Sequence, residues 1–190
     1  MHPICDLQIE YSLVSRGPER AIFPVLEELR IGVTAYGVLS RGLLSGSRLG
    51  GKGDMRAHMP RFAADNLARN QKLVEALGRL AAELGATPSQ LAIAWVLAKG
   101  ARIVPVMGAR TRAQLDESLG ALRFTLSPDQ IARLEEAVPA SEVAGRATPS
   151  SRCSTSTARS EGHAASSSSS SVTAMRWVKP ATPANAPARM

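Results

Sequence analysis

Residues 87–108 read TPSQLAIAWVLAKGARIVPVMG, a capped helix followed by a short apolar run, and this stretch decides the fold class. Thr87 to Gln90 form a capping box with proline at the first helical position, which predicts a helix that runs to Gly100. Residues 102–107 (RIVPVM) are an apolar run of strand length that ends before Gly108. A helix that leads directly into a buried strand is typical of parallel βα units.

The same alternation continues outward along the chain. Residues 7–13 (LQIEYSL) and 32–39 (GVTAYGVL) predict two further strands. A helix with one apolar stripe is predicted after Asp65 and is ended by Gly85. Two more helix starts are predicted, at Thr111 and at Ser127. In each case a glutamine follows the hydroxyl residue three positions later, Gln114 and Gln130 respectively. We therefore expect an α/β fold with a parallel sheet.

The charge of the chain is concentrated in its last part. The 190 residues have a formal net charge of +7, and residues 146–190 contribute five arginines and one lysine against a single acid. This segment is rich in Ser, Ala and Pro and shows neither helical nor strand periodicity, so we expect a disordered basic tail. Its basic residues are scattered, and Trp177 is the only side chain in the segment that could stack on a nucleobase, so we expect no nucleic-acid partner. Residues 1–145 are expected to form the folded domain.

Several protein classes are excluded by simple counts. No run reaches the ~18 apolar residues of a membrane span, and the N-terminal residues do not resemble a secretory signal, so we expect a cytoplasmic protein with no membrane partner. Two cysteines, far apart, exclude a disulfide scaffold and a four-ligand zinc site, and we expect no metal. Cys5 is expected to be a small buried hydrophobic residue rather than a nucleophile.

Two loops that follow predicted strands have the composition of anion-binding sites. In residues 36–42 (YGVLSRG), small residues allow close backbone approach, and Arg41 adds positive charge. Residues 108–117 (GARTRAQLDE) combine a glycine and two arginines with the start of a helix. Because functional loops of parallel βα folds lie at one edge of the sheet, these loops suggest a phosphate-bearing ligand. No catalytic constellation or standard hydrolase, zinc-protease or P-loop motif is present, so we assign no catalytic residue.

Five blocks of this sequence resemble the C-terminal half of the aldo-keto reductase family, most closely its bacterial branch. They are HPICDLQIEYSLVSRGPE, IGVTAYGVLSRGLLSG, DMRAHMPRFAADNLARN, LGATPSQLAIAWVLAKG and VPVMGARTRAQLDESLGAL, in family order from His2 to about Gly145. The resemblance implies a partial (β/α)8 TIM barrel made of C-terminal strands and helices. It also implies NADPH/NADP as the cofactor and a small-molecule carbonyl compound as the substrate, with carbonyl reduction or alcohol oxidation as the reaction.

The resemblance also assigns cofactor-binding residues. Gln8 would hold the nicotinamide carboxamide and Tyr36 would stack on its ring, although each could instead be a local packing residue. Glu117 would reach the adenine, and Gln114 could instead only cap the helix with Thr111. The pyrophosphate would be lined by Gly37, Leu39, Ser40, Arg41 and Gly42, and the 2′-phosphate by Gly108, Arg110, Thr111 and Gln114.

The family's catalytic Asp, Tyr, Lys and His tetrad has no counterpart in this sequence. We therefore expect a truncated reductase that is inactive alone. In this interpretation the chain is a gene remnant or fragment. Two alternatives stay open: a non-catalytic module that binds NADPH or a partner chain, and one half of a split enzyme completed by a complementary N-terminal half. Codon degeneracy would allow the segment after Arg146 to encode a family-like C-terminus in another reading frame, so the tail is also a candidate frameshift product.

Overall fold

The computed structural model describes residues 2–47, 50 and 53–147. The chain divides into two compact units, Met1–Ser151 and Arg152–Met190, and the second lies outside the described residues together with most of the predicted tail. Strands and α-helices follow one another in this order: β1 Asp6–Glu10, α1 Pro18–Ala21, α2 Phe23–Glu28, β2 Gly32–Tyr36, α3 Ala64–Glu83, α4 Pro88–Ala98, β3 Ile103–Pro105, α5 Arg112–Leu119 and α6 Pro128–Ala137. Short 3-10 turns occupy Ser40–Gly42, Met55–His58, Pro60–Phe62 and Gly120–Arg123.

The three strands form one parallel sheet in the order β1-β2-β3, which confirms the predicted α/β class. All three strands are shorter than predicted at their C-terminal ends. After β1 the chain leaves the sheet and closes a turn through an antiparallel bridge between Ser12 and Ser15. After β2, Gly37 turns the chain with φ +68°. Within the described residues the sheet is open, with β1 and β3 at its edges.

The two faces of the sheet differ because side chains alternate along each strand. Val33 and Ala35 of β2 are buried beneath the helices, at 4% and 0% exposure. The opposite face is uncovered: Gln8 is exposed, and Tyr36 and Val104 keep 38% and 46% of their surface. Among the described residues, all helical cover of the sheet therefore lies on one face.

Helix starts follow the capping signals closely. Thr87 and Ser127 each close a complete capping box with the glutamine three residues later, as predicted. Thr111 accepts a hydrogen bond from the Gln114 amide, but the Gln114 side chain reaches the Arg110 amide instead of completing the box. Local hydrogen bonds therefore fix these starts, which explains why sequence reasoning found them.

Helix α3 packs through the stripe that the sequence predicts. Leu77 and Ala81 are almost fully buried, and Leu73 joins them on the same face. Asn70 lies on this buried face too, with 1% of its surface exposed, and apolar periodicity gave no signal for it. Its amide hydrogen-bonds the main chain of distant segments, which offsets the cost of its burial.

The centre of the core combines aromatic rings with a polar network. Tyr11 and Trp95 are fully buried, with ring centroids 5.3 Å apart. The Tyr11 hydroxyl donates to Glu19 over 2.6 Å, and the Trp95 indole donates to Glu135 over 3.1 Å. Lys99 bridges these two carboxylates at 3.3 and 3.0 Å, so the network ties the segment after β1 to α4 and α6.

The prediction that Cys5 is buried is wrong, because its side chain is exposed. It precedes β1, where its carbonyl accepts a hydrogen bond from the Gly32 amide over 3.0 Å. None of the helices in the described part of the chain has the length and apolar character needed to cross a bilayer.

Candidate functional site

A large open cleft lies where the loops after β2 and β3 meet. Its volume is about 1070 Å³, and its walls include backbone, small side chains and arginines from both loops. The sequence predicted that these two loops face one side of the sheet, and the structure places them around one cavity. Eight of the residues assigned to the cofactor line it: Gly37, Leu39, Arg41, Gly42, Gly108, Arg110, Gln114 and Glu117.

The loop after β2 has an unusual backbone. Ser40 and Arg41 adopt left-handed conformations, with φ of +47° and +54°, between Gly37 at +68° and Gly42 at +91°. Left-handed backbone is unfavourable for residues with a Cβ atom. A Cβ atom on Gly42 would also lie 2.9 Å from the Ser47 side chain. This compact turn therefore depends on glycine at its end and on supporting contacts at its centre.

Arg41 carries positive charge to the wall of the cleft. Its guanidinium lies 3.9 Å from the Glu10 carboxylate, and it donates to the Ala147 carbonyl over 3.3 Å. The side chain keeps 31% of its surface exposed. Arg41 is therefore partly anchored and partly available to an anion in the cleft.

The loop after β3 forms the opposite wall. The Arg110 amide donates to Gln114 Oε1 over 2.8 Å, and the Gln114 amide donates to Thr111 Oγ1 over 3.3 Å. These bonds shape the turn into α5, and Arg110 stays exposed. Gln114 therefore has a capping role in this structure while it also lines the cleft.

Glu117 on α5 connects this wall to α4. Its carboxylate accepts a hydrogen bond from the Thr87 hydroxyl over 3.0 Å. Its carbonyl accepts a second one from the Gln90 side chain over 3.1 Å. These two contacts hold α5 against the start of α4, so the cleft is built on packed helices.

Four predicted residues do not line the cleft. Gln8 and Tyr36 lie beside it on the uncovered face of the sheet, where the strand register pairs Gln8 with Thr34 and Glu10 with Tyr36. Ser40 is buried at 2% exposure, and Thr111 is used as the cap of α5. The structure thus brings two thirds of the predicted set together in the cavity wall and places two others on the adjoining sheet face.

Sequence reasoning missed the contribution of the loop between Ser45 and Pro60. Arg56 forms a close ion pair with Asp54 at 2.7 Å and donates to the Arg41 carbonyl over 3.2 Å. Hydrogen bonds from the Arg56 side chain, and then from the Gly50 and Arg56 amides, hold the pKa of Asp54 far below its usual range. The only signal in the sequence was an acid two residues before an arginine in a glycine-rich loop.

The chemistry available at the cleft is anion binding. The Tyr11 hydroxyl lies in the core, where burial and then its hydrogen bond to Glu19 raise its pKa far above the usual range, so it is a poor proton donor. In the part of the chain that the structure describes, no three His, Cys, Asp or Glu side chains cluster in a way that could hold a metal ion. Three arginines (Arg41, Arg56 and Arg110), glycine-rich turns and a helix start line the cleft, and together these suit phosphate groups.

Comparisons with known proteins agree with the family noted in the sequence, but do not support the finer assignment to its C-terminal half and bacterial branch. A profile described as "Aldo/keto reductase family" matches residues 2–139. A curated plant protein, "Probable aldo-keto reductase 1" from Glycine max, is 42% identical over 154 residues, which are 76% of this chain and 43% of that protein.

Two solved structures of similar proteins share the fold of this chain. The glycerol dehydrogenase from Gluconobacter oxydans superposes with a TM-score of 0.66 at 26% identity, over 72% of this chain and 42% of that one. A thermostable aldo-keto reductase solved with the inhibitor epalrestat gives a TM-score of 0.51 at 24% identity, over 70% of this chain and 39% of that one, which shows likeness of fold alone. The chain therefore spans less than half of the length of these relatives.

Proposed function

This chain belongs to the aldo/keto reductase family, and from that membership we propose that its cleft binds NADPH or NADP. The observation that carries the proposal is the convergence of the two anion-suited loops around one cavity. NADP(H) has phosphates at two separated places, the pyrophosphate and the 2′-phosphate of the adenosine. The cleft has an arginine on each of two walls, Arg41 and Arg110, which fits that distribution of charge.

The assignment of residues to parts of the cofactor follows the family pattern at the positions of this sequence. Gly37, Leu39, Ser40, Arg41 and Gly42 would form the pyrophosphate loop, with the buried Ser40 shaping the turn through its hydrogen bond with Arg61. Gly108, Arg110, Thr111 and Gln114 would hold the 2′-phosphate, and Glu117 would approach the adenine. Gln8 and Tyr36 would receive the nicotinamide on the uncovered sheet face.

We propose binding without turnover for this chain alone. When bound, the cofactor would supply a hydride for carbonyl reduction, and the carbonyl oxygen would then need a proton from a general acid. The family's tetrad, which includes the proton donor, is not matched in this sequence. A missing general acid costs typically ~100- to 10,000-fold in rate. The chain's own residues would therefore bind and orient the cofactor, and its carbonyl substrate stays unassigned.

The open sheet is proposed to be an arc of the family's eight-stranded barrel, equivalent to its C-terminal half. The strands at both edges lack a neighbour among the described residues, and Val104 and Val106 of the uncovered face keep 46% and 47% of their surface. On α5 and the turn that follows it, Leu115, Leu119 and Leu122 form an exposed apolar stripe of helical spacing. These surfaces fit further βα units of the same barrel, carried on this polypeptide or on another.

Copurification with a polypeptide of further βα units would support this assignment. A lone monomer whose β3 edge amides resist hydrogen exchange would contradict it. The assignment to the bacterial branch stays a prediction, because the curated relative described above is from a plant.

The test of cofactor binding is calorimetric titration of the full 190-residue chain with NADPH and with NADH. We expect saturable binding that is tighter for NADPH and is weakened by Arg41→Met. Arg69→Met is the matched control, because Arg69 is an exposed arginine on α3, away from the cleft. Absence of saturable binding of either nucleotide at millimolar concentration would overturn the proposal.

A further inference from the structure

We infer that Arg61, which does not line the cleft, is a positioning residue that holds the turn of Ser40 and Arg41 in the shape needed for phosphate binding. The inference rests on the proposed function, because it assigns Arg61 to the same site. The structural part of the inference does not depend on the cofactor: the buried guanidinium stabilises a strained turn, whichever anion binds there.

The first support is the placement of the Arg61 guanidinium. The residue is only 5% exposed, although arginine is rarely buried unless it is paired. One nitrogen donates to the Ser40 hydroxyl over 2.9 Å and to the Ser15 hydroxyl over 3.0 Å, and the other donates to the Val14 carbonyl over 3.2 Å. A single side chain therefore links the loop after β1 to the loop after β2.

The second support is the conformation of the residue that Arg61 holds. Ser40 has φ of +47°, and the next residue, Arg41, has φ of +54°. Each left-handed residue with a side chain costs roughly 1–2 kcal/mol, so the pair needs contacts that outweigh this cost. The bond from Arg61 to the buried Ser40 hydroxyl acts directly on the strained turn. Without it, we expect the turn to relax and Arg41 to leave the cavity wall.

The third support is a carboxylate shared by the two arginines. Glu10, at the end of β1, lies 3.8 Å from Arg61 and 3.9 Å from Arg41. Its Oε1 also accepts a hydrogen bond from the Ser15 hydroxyl over 3.0 Å. Burial lowers the pKa of Arg61, and the charge of Glu10 opposes that shift. Glu10 therefore offsets part of the cost of burying the Arg61 charge and also lies close to Arg41.

The main chain of Arg61 is fixed as firmly as its side chain. Its carbonyl accepts a hydrogen bond from the buried Asn70 amide over 3.1 Å. Gly145, with φ of +77°, packs so closely that a Cβ atom there would lie 2.7 Å from the Arg61 nitrogen. The guanidinium thus projects from a rigid base, which suits a residue that positions another.

The test compares Arg61→Met and Arg61→Lys with the Arg69→Met control in the full chain. The ligand-independent readout is hydrogen exchange of the Ser40 and Gly42 amides, which donate to Gly37 and Leu39 carbonyls over 2.7 and 3.0 Å. We expect Arg61→Met to speed their exchange by about tenfold or more, since it removes charge-assisted hydrogen bonds. Exchange within α4 is expected to stay unchanged. Arg61→Lys is expected to restore part of the protection.

The second readout is the affinity for NADP. We expect Arg61→Met to raise Kd by about tenfold, with partial rescue by Arg61→Lys and no change in the Arg69→Met control. If the original chain does not bind NADP, the proposed function fails, while the exchange data still decide the role of Arg61. Unchanged exchange at Ser40 and Gly42 in Arg61→Met would overturn the inference, and so would equal acceleration in α4.

A milder variant keeps the test decisive if Arg61→Met does not fold. Ser40→Ala removes only the hydroxyl that accepts from Arg61. It is expected to speed exchange at the Gly42 amide and to leave α4 protected. A Ser40→Ala chain with unchanged exchange at Gly42 would count against the inference.

Discussion

Replacing Asn70 with alanine is expected to be among the most damaging polar-to-apolar changes in this fold. The side chain of Asn70 is 1% exposed and makes three hydrogen bonds to the main chain. Its amide nitrogen donates to the Arg61 carbonyl over 3.1 Å and to the Ala144 carbonyl over 2.9 Å, and its oxygen accepts from the Ala144 amide over 2.9 Å. Alanine would leave these three buried main-chain groups without their partner.

The magnitude follows from counting the lost bonds. A buried hydrogen bond contributes about 1 kcal/mol net, and an abandoned buried partner costs roughly 1–3 kcal/mol. Three such groups give an expected loss of about 3 kcal/mol in the free energy of unfolding. Chemical denaturation followed by circular dichroism would show this as a fall of roughly 1–3 M in the urea midpoint.

The matched control is Gln71→Ala, at the exposed neighbouring position of the same helix. It is expected to change the free energy of unfolding by less than about 0.5 kcal/mol. A loss below about 1 kcal/mol for Asn70→Ala would refute the reasoning, because it would mean that water satisfies the abandoned groups. An equal loss in the control would assign the effect to the helix instead of to the bonds of Asn70.

Three further predictions follow from other parts of the molecule. For Glu135, burial raises the pKa, but the hydrogen bond from Lys99, the charges of Arg16 and Lys99 and the hydrogen bond from Trp95 together outweigh this, so its pKa lies below the ordinary value of 4.5. Its stabilising effect is therefore complete above that value and is lost as the pH falls through the lower pKa of the folded state. Unfolding measured from about pH 6 to about pH 3 should show Glu135→Gln losing less stability than the original chain. Gly145→Ala should unfold at a clearly lower temperature, since its φ is +77° and the new Cβ atom would lie 2.6 Å from the Pro60 carbonyl oxygen. An unshifted melting temperature would contradict this close approach of the two main-chain segments. Arg110→Ser should reduce the preference for NADPH over NADH about fivefold, a modest value because this arginine is exposed and screened. Parallel titrations with both nucleotides measure it, and equal weakening of the two would rule out a contact with the 2′-phosphate.

The sequence predicted the features that depend on interactions between residues close together in the chain. The side chains of Thr87 and Ser127 each cap a helix by bonding to the residue three positions later, so four consecutive residues contain the whole interaction. The stripe of Leu77 and Ala81 is visible because helical period and burial coincide. Strand ends were overestimated, because the apolar run that includes Tyr11 continues into the core after it leaves the sheet.

The cleft was found only in part. Arg41 and Arg110 each belong to a loop whose own composition indicates anion binding. The parallel architecture implies that such loops lie at one edge of the sheet, and both arginines line the cleft. Asp54 and Arg56 gave little signal, because their role depends on how a glycine-rich loop folds back onto Arg41.

By itself, the amino-acid sequence determined the parallel α/β class, the starts of the main helices, the family and the two loops that face the cleft. Only the tertiary structure decided that Arg61 supports the turn of Ser40 and that Asn70 fastens Ala144 to Arg61. The physical reason is separation along the chain. Caps and stripes act over three or four residues, whereas these bonds join residues 9, 21 and 74 positions apart, and only the packed chain brings their atoms within hydrogen-bonding distance.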